Sequence, residues 1–422
     1  MPNCVAPRLA RRQRTTIVDD ILSGIRVLEV ASWTFVPAAG AVLADWGADV
    51  IKVEHPVSGD PQRGLISSGL VPAAAGGFNY MIEQPNRGKR SVGINLASDD
   101  GRELLYRIAA TSDVFLTSFL PSVRTKLHIE LDDIRAQQPS IIYVRGSGQG
   151  VRGEDAGKGG YDGASYWARG GIGAALTPRG VEPPISPRPA FGDVMGGMTI
   201  AGGIAAALLR RERTGIPSVV DVSLLGTALW NLAPDVVAAK LYEGTAMPRF
   251  DADAPPNPLV GTYRTGDGRY LSLMMLESDR FWGDFCTHVG HPELIDDPRF
   301  ASAAARYEHR RACRDKIAEI LAGASLDEWR TRLATMKGVW APMQTARELH
   351  DDPQVVANGY LPTVAADDGS PVALVANPVQ FDETPPELRR APEHGQHTEE
   401  VLLELGLTWE ELAAHKDTGA IL

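Results

Sequence analysis

Cysteine is scarce in this chain: only Cys4, Cys286 and Cys313 occur. Three scattered thiols make neither a disulfide framework nor a CxxC metal site, and such a set fits free thiols in a reducing compartment. Positive charge is in deficit, with 42 Lys and Arg against 53 Asp and Glu and a formal net charge of −11. A general nucleic-acid binder is more often basic, so that class loses weight, although a few local cations suffice to hold a polyanionic small molecule. Long apolar runs are also missing. The longest, residues 194–209, is too short and too Gly-rich for a membrane span. The basic opening MPNCVAPRLARRQRTT runs into no apolar segment, so it does not read as a signal peptide. HExxH, GxSxG and the Walker A pattern are absent, which weighs against zinc-protease, α/β-hydrolase and P-loop chemistry. Together these absences predict a cytoplasmic protein with no metal, no permanently bound cofactor, no nucleic-acid partner and no membrane anchor.

What is present is ordinary globular text. The 422 residues are 44% hydrophobic and 23% charged, and that length exceeds what one core usually holds. From Ile25 short β-branched runs alternate with helical text: IRVLEVA, DVIKVEH, SVGINL, DVFLTSF and SIIYVRGS as strands, with PAAGAVLADWGA, DDGRELLYRIAATS and LDDIRAQQP as helices between them. Repeated strand–helix–strand units predict an α/β fold with a parallel, Rossmann-like sheet that binds ligands in the loops beyond the strand carboxyl ends. Residues 146–189 read as loop, Asp193 to Arg211 as an apolar helix, and SVVDVSLL as a further strand. We divide the chain into an N-terminal extension (1–23), a large Rossmann-like domain (24–244), a smaller α+β domain (245–345) and a C-terminal segment (346–422) that returns to the large domain. GTYRTGDGRYLSLMM reads as a hairpin with Gly-Asp-Gly at its turn. The tail holds a few extended pieces and one final helix, TWEELAAHK.

Two motifs stand out. Gly148, Gly150 and Gly153 match GxGxxG after a strand, but the following EDAGKGGYDG is not helical text, so no helix N-terminus is available for a pyrophosphate and a plain glycine loop is the better reading. The second is FGDVMGGMTIAGGIAAALLRRERTG. Asp193 stands directly before its apolar helix, where an Asp ordinarily caps the first-turn N–H groups. Flanked by Gly192, Gly196 and Gly197, the same carboxylate is also open to close approach by a ligand, and nearby N–H groups can hold an oxyanion. Spacing alone leaves both readings open.

Several separated blocks, in order, carry a resemblance. GIRVLEVASWTFVPAAGAVLADWGADVIKVEHPVSGD, NRGKRSVGINLASDDGRELL, DVFLTSFLPSV, the FGD block with RRERTG, and APEHGQHTEEVLLELG are similar to the family III CoA-transferases, the group of formyl-CoA transferase and carnitine-CoA transferase. The likeness covers nearly the whole chain from Gly24. It implies an interlocked homodimer, acyl-CoA and a carboxylic acid as substrates, and Asp193 as nucleophile in CoA transfer through an aspartyl-CoA thioester. It further implies CoA contacts from residues 32–36 (Ser32, Thr34 and Phe35 among them), His55, Asn95 and Leu96, Ser118 and Phe119, Lys126 and the nearby Arg124. Surface solubility is the plain alternative for His55, Arg124 and Lys126. Asp162 and Tyr161 are supporting candidates, Asp162 to position Asp193 or a substrate group, with a surface carboxylate as the plain alternative. Backbone N–H groups around Gly196 and Gly197 are candidate oxyanion donors, and Trp33, Phe35, Tyr166 and Trp167 are candidates for an acyl pocket, core packing being the commoner place for such aromatics. The related α-methylacyl-CoA racemases offer an alternative activity on the same fold. Their block aligned with GYDGAS begins His-Asp, the His being a base, and here it is Tyr161-Asp162. An ordinary phenol, with a pKa near ~10, makes a poor base at neutral pH. The glycine run over the formyl-CoA transferase site has no counterpart in NPLVGTYRTGDG. An acyl-CoA-binding protein without catalysis is the reading from another class.

Overall fold

The computed structural model describes residues 21–74, 77–178, 180–242, 251 and 253–422. The N-terminal extension up to residue 20, with Cys4, and the expected boundary at 244–245 lie outside them. By internal contacts the chain divides into one unit running up to Val236 together with Asn358–Leu422, and a second unit, Val237–Ala357.

The first unit is built on six strands: β1 (Arg26–Val30), β2 (Asp49–Glu54), β3 (Arg90–Gly93), β4 (Val114–Thr117), β5 (Ile142–Ser147) and β6 (Val219–Ser223). They lie in the order β3-β2-β1-β4-β5-β6, every neighbouring pair parallel. Because strand side chains alternate, the sheet feeds two cores. Val27, Val114, Leu116, Ile142 and Val144 face one side and pack with α1 (Phe35–Asp45) and residues of a later long helix. Leu28, Val30, Phe115 and Tyr143 face the other.

Helices α2 (Tyr80–Asn86), α3 (Asp99–Ala110), α4 (Pro121–Leu127), α5 (Leu131–Gln137) and α6 (Ile172–Leu176) follow in chain order, then α7 (Phe191–Thr214) and α8 (Leu224–Asn231). Ser98 caps α3 by accepting the Gly101 N–H at 3.1 Å, with Asp99 and Asp100 favouring the first turn. α2 and α4 are short helices in stretches that carry little helical periodicity. The strand read through Leu225 ends at Ser223, because the Ser223 hydroxyl accepts the Gly226 N–H (3.0 Å) and starts α8. α7 is longer than the run 194–209 and is the one helix among the described residues long and apolar enough to cross a membrane by length and composition. Its Ile200, Ala201, Ile204 and Ala207 lie in the first core. At its far end Arg211 pairs with Asp113 at 2.7 Å.

The C-terminal segment ends in two helices, Thr398–Glu404 and Trp409–Asp417, rather than one, because Gly406 (φ 85°) breaks the run. Val401, Leu402 and Leu412 enter the second core. The segment's last residues lie along β3: the Leu422 N–H donates to the Gly93 carbonyl at 3.1 Å.

In the second unit β7 (Val260–Arg264) and β8 (Tyr270–Met274) form an antiparallel hairpin whose turn carries Gly268 at φ 80°. β9 (Trp340–Pro342) joins β8 on its other edge. Trp282, Phe285, Ile317 and Trp329 fill the core beside them. Cys286 and Cys313 are free and buried there, and burial pushes both thiols up to about 12, so neither is a reactive thiolate.

Candidate active site

An open parallel sheet binds ligands where neighbouring strands lead off in opposite directions. In this order that point lies between β1 and β4. The loops leaving their carboxyl ends meet there: the Ser32 N–H donates to the Ser118 hydroxyl at 3.2 Å. α1 begins directly after the first loop, and α7 packs along α1. A Cβ on Gly196 would sit 2.3 Å from the Phe35 ring, and one on Gly197 would sit 2.6 Å from the Ala38 methyl. Gly192 is equally confined, 2.5 Å from the Tyr166 ring. The glycines therefore let α7 approach α1 and Tyr166, bringing the start of α7 to the mouth of the crevice.

Asp193 is the third residue of α7 and not the residue before it. Ala190 takes the flanking position in a left-handed conformation (φ 61°) and offers no side-chain cap. The cap comes from a distant segment: Asp162 Oδ2 accepts the Gly192 N–H at 3.3 Å, while Oδ1 accepts the Gly163 N–H at 2.7 Å. Asp193 is thus free of the capping duty that sequence alone offered it. Its half-buried carboxylate accepts no hydrogen bond among the described residues. Burial first, and the charge of Asp162 second, push it up to about 7, so it stands ready to ionise near neutrality. Gly196 and Gly197 lie beyond the first turn, where helix N–H groups bond carbonyls four residues back. Their role is close packing, which corrects the expectation of oxyanion donors.

The expected CoA contacts separate by environment. Ser32 and Ser118 line the crevice, with Phe119 partly buried beside it. His55 is exposed at the end of β2; its Nδ1 accepts the Val57 N–H at 3.2 Å, and its carbonyl contacts His394 Nε2 at 2.9 Å. Lys126 is exposed on α4 with no ion pair among the described residues. Arg124 is buried, holding Glu130 at 3.1 Å and the Phe119 carbonyl at 2.7 Å, so it is neither a surface charge nor a free one. Thr34 is buried against Gln62, and Phe35 belongs to the core. The Leu96 side chain is core, and the Asn95 N–H is taken by the Ala420 carbonyl at 2.8 Å. Of the expected acyl-pocket residues, Phe35 and Tyr166 are buried packing, whereas Trp33 and Trp167 stay partly accessible.

Sequence reasoning missed a buried charge cluster beneath the β1 loop. Lys52 Nζ reaches Asp60 at 2.8 Å, Glu29 at 3.2 Å and the Ala31 carbonyl at 2.9 Å. Lys89 Nζ binds Glu29 at 2.7 Å and the Pro37 carbonyl at 2.8 Å. A signal existed: Glu29 and Lys52 interrupt the apolar runs of β1 and β2 and stand opposite each other in register.

Comparison with known proteins agrees with this geometry. The family model "CoA-transferase family III" matches residues 22–398. The chain is 32% identical to the (R)-2-hydroxy-4-methylpentanoate CoA-transferase of Clostridioides difficile, over 95% of this chain and 99% of that one. It is 31% identical to the cinnamoyl-CoA:phenyllactate CoA-transferase of Clostridium sporogenes, over 93% and 95%. A crystal structure of a CAIB/BAIF family protein from Brucella suis superposes with a TM-score of 0.77 at 29% identity, covering 92% of this chain and all of that one. A parallel sheet with a crevice at its reversal, a helix-borne carboxylate at that crevice and likeness along the chain's length agree: the protein is a CoA-transferase of family III.

Proposed function

We propose that the chain moves CoA from an acyl-CoA thioester to a carboxylic acid through an aspartyl-CoA thioester on Asp193. The observation that carries this reading is the Asp193 carboxylate, which accepts no hydrogen bond among the described residues, in a first turn of α7 that Asp162 caps through the Gly192 N–H at the crevice between β1 and β4. A nucleophile must be ionised and unshielded to attack, and this carboxylate is both above about pH 7. It adds to the donor thioester carbonyl and expels CoA thiolate, leaving a mixed anhydride. The thiolate attacks the aspartyl carbonyl, releasing the donor acid as its carboxylate and forming aspartyl-CoA. The acceptor carboxylate then attacks that thioester, giving a second mixed anhydride and thiolate. Attack of the thiolate on the acceptor's acyl carbon forms the new acyl-CoA and restores Asp193.

Lys126 supplies an uncommitted cation for CoA phosphate, and Ser32 and Ser118 the walls of its crevice. The homodimer belongs to the same reading; the apolar Trp230, 80% exposed on α8, suits a covered face. Racemisation is not favoured. Tyr161 replaces the histidine that chemistry uses, and Tyr161 is exposed and edge-on to Trp33. The test is mass spectrometry of the enzyme after exposure to an acyl-CoA donor. The peptide bearing Asp193 should gain CoA, and Asp193→Ala should show neither the adduct nor exchange. Enzyme-dependent deuterium uptake at the α-carbon of a 2-methylacyl-CoA, without any adduct, would overturn transfer in favour of racemisation.

A further inference from the structure

Trp33 is the most strained residue of the β1 loop. Its φ of 70° lies in the left-handed region that a bulky side chain rarely occupies. Such a conformation persists only where the surroundings enforce it, and here they do. The Trp33 N–H donates to Asp60 Oδ1 at 3.1 Å. Asp60 is itself buried and fixed: its other oxygen meets Lys52 at 2.8 Å, and its own N–H donates to Glu54 at 2.8 Å. The neighbouring residues are tied from beneath as well, Ala31 by Lys52 and Thr34 by Gln62. A wholly buried ionic cluster thus does nothing for the surface charge and everything for the shape of one loop.

The strained backbone turns the Trp33 indole onto Tyr161, ring centroids 5.5 Å apart and 87° between planes. Each ring is one or two residues along the chain from a residue that touches the start of α7. Tyr161 precedes Asp162, which holds Gly192 next to Asp193. Trp33 lies two residues before Phe35, which packs against Gly196 one turn after Asp193. Tyr161 is 62% exposed, and Val194 and Met195 of the same turn are each 46% exposed. The turn that bears Asp193 thus presents accessible apolar side chains, and the segments that carry the aromatic pair are anchored to the same turn.

We propose, resting on the CoA-transfer reading, that Trp33 and Tyr161 form the wall against which the side chain of the acyl group lies, that Asp60 is the positioning residue that sets this wall through the Trp33 backbone, and that the preferred acids carry an apolar side chain. Shielding roughly 55 Å² of apolar surface strengthens binding about tenfold, and that is the contribution expected from the indole.

The test is calorimetric binding of 3-phenylpropanoyl-CoA and acetyl-CoA to proteins that all carry Asp193→Ala, so that no aspartyl-CoA forms during the titration; contacts to the shared CoA moiety cancel in the ratio of their affinities. With Trp33 and Asp60 both wild type the aryl thioester should bind at least about tenfold tighter. Trp33→Gly should cut the ratio to within about threefold; glycine accepts a φ of 70° without strain, so this variant should fold. Asp60→Ala should lower the ratio in the same direction, and the double variant should go no lower than Trp33→Gly alone, since Asp60 acts through Trp33. Asp60→Asn keeps an acceptor for the Trp33 N–H and should fall between wild type and Asp60→Ala. It also carries the question of Asp60 where Asp60→Ala fails to fold. An unchanged ratio in Trp33→Gly, as when a second copy of the chain covers this surface, overturns the wall. Losses from the two sites that multiply in the double variant, or a wild-type ratio in Asp60→Asn when Asp60→Ala does not fold, overturn the role of Asp60. Exchange activity measured in parallel on protein with Asp193 intact judges CoA transfer separately: its absence, with the ratios as expected, would remove the reaction and leave the acyl-binding wall.

Discussion

Asp193→Asn should stabilise the protein at pH 8 and by much less at pH 5. The carboxyl ordinarily ionises at 3.8 and is held up to about 7 in the folded chain by burial and by Asp162. Between those values the folded chain keeps a proton that the unfolded chain has lost. Stability therefore falls as pH rises through this window, and the full cost is present above about pH 7. At about 1.4 kcal/mol per pH unit the gap sets a ceiling of about 4 kcal/mol. Water reaches this half-buried group and the helix N-terminus favours its charge, so we expect on the order of 2 kcal/mol. Asparagine carries no charge and forfeits no hydrogen bond, because the Asp193 carboxylate accepts none among the described residues. Urea denaturation followed by tryptophan fluorescence, at intervals from pH 5 to 8, should show the variant's advantage growing with pH. A variant no more stable than wild type at pH 8, or an advantage equal at every pH, would refute the claim that ionised Asp193 is a strained charge.

Two further expectations follow from the same turn. Asp162→Asn should lower the apparent pKa of the acidic limb of the kcat/KM profile, because the amide keeps one acceptor oxygen for the Gly163 and Gly192 N–H groups but no longer carries the charge that opposes ionisation of Asp193; pH–rate profiles of both proteins measure this. Gly197→Ala should cost about 1–2 kcal/mol in denaturant unfolding despite its better helix propensity, since the new methyl would lie 2.6 Å from the Ala38 methyl and 3.0 Å from the Phe35 carbonyl oxygen.

The parallel sheet was legible because β1, β2, β4 and β5 are β-branched runs separated by amphipathic text, and the hairpin of β7 and β8 because its Gly-Asp-Gly turn is explicit. Asp193 was legible as the acid at the start of an apolar helix but not in its geometry. The sequence places it before an apolar run, and nothing local tells that Ala190 turns left-handed and that Asp162, thirty positions away in sequence, supplies the cap. The glycines of α7 were visible and misread, since only packing distances distinguish a donor from a contact. Arg124 and Lys126 sit two apart on one short helix, and opposite fates there depend on whether Glu130 and the Phe119 carbonyl lie within reach. The Lys52–Asp60 pair joins residues from different segments and leaves no periodic trace.

α7 carries Asp193, the nucleophile we propose, at one end and its Arg211–Asp113 clamp at the other. Its 24 residues make a rod about 36 Å long. A tilt of only about 2° about the far clamp moves the near end by roughly 1 Å, a misplacement large enough to spoil a nucleophile's line of attack. The helix is thus a lever as well as a strut. Changes at Arg211 or Asp113, at the amino end of β4, should therefore act on the aim of Asp193 without touching substrate.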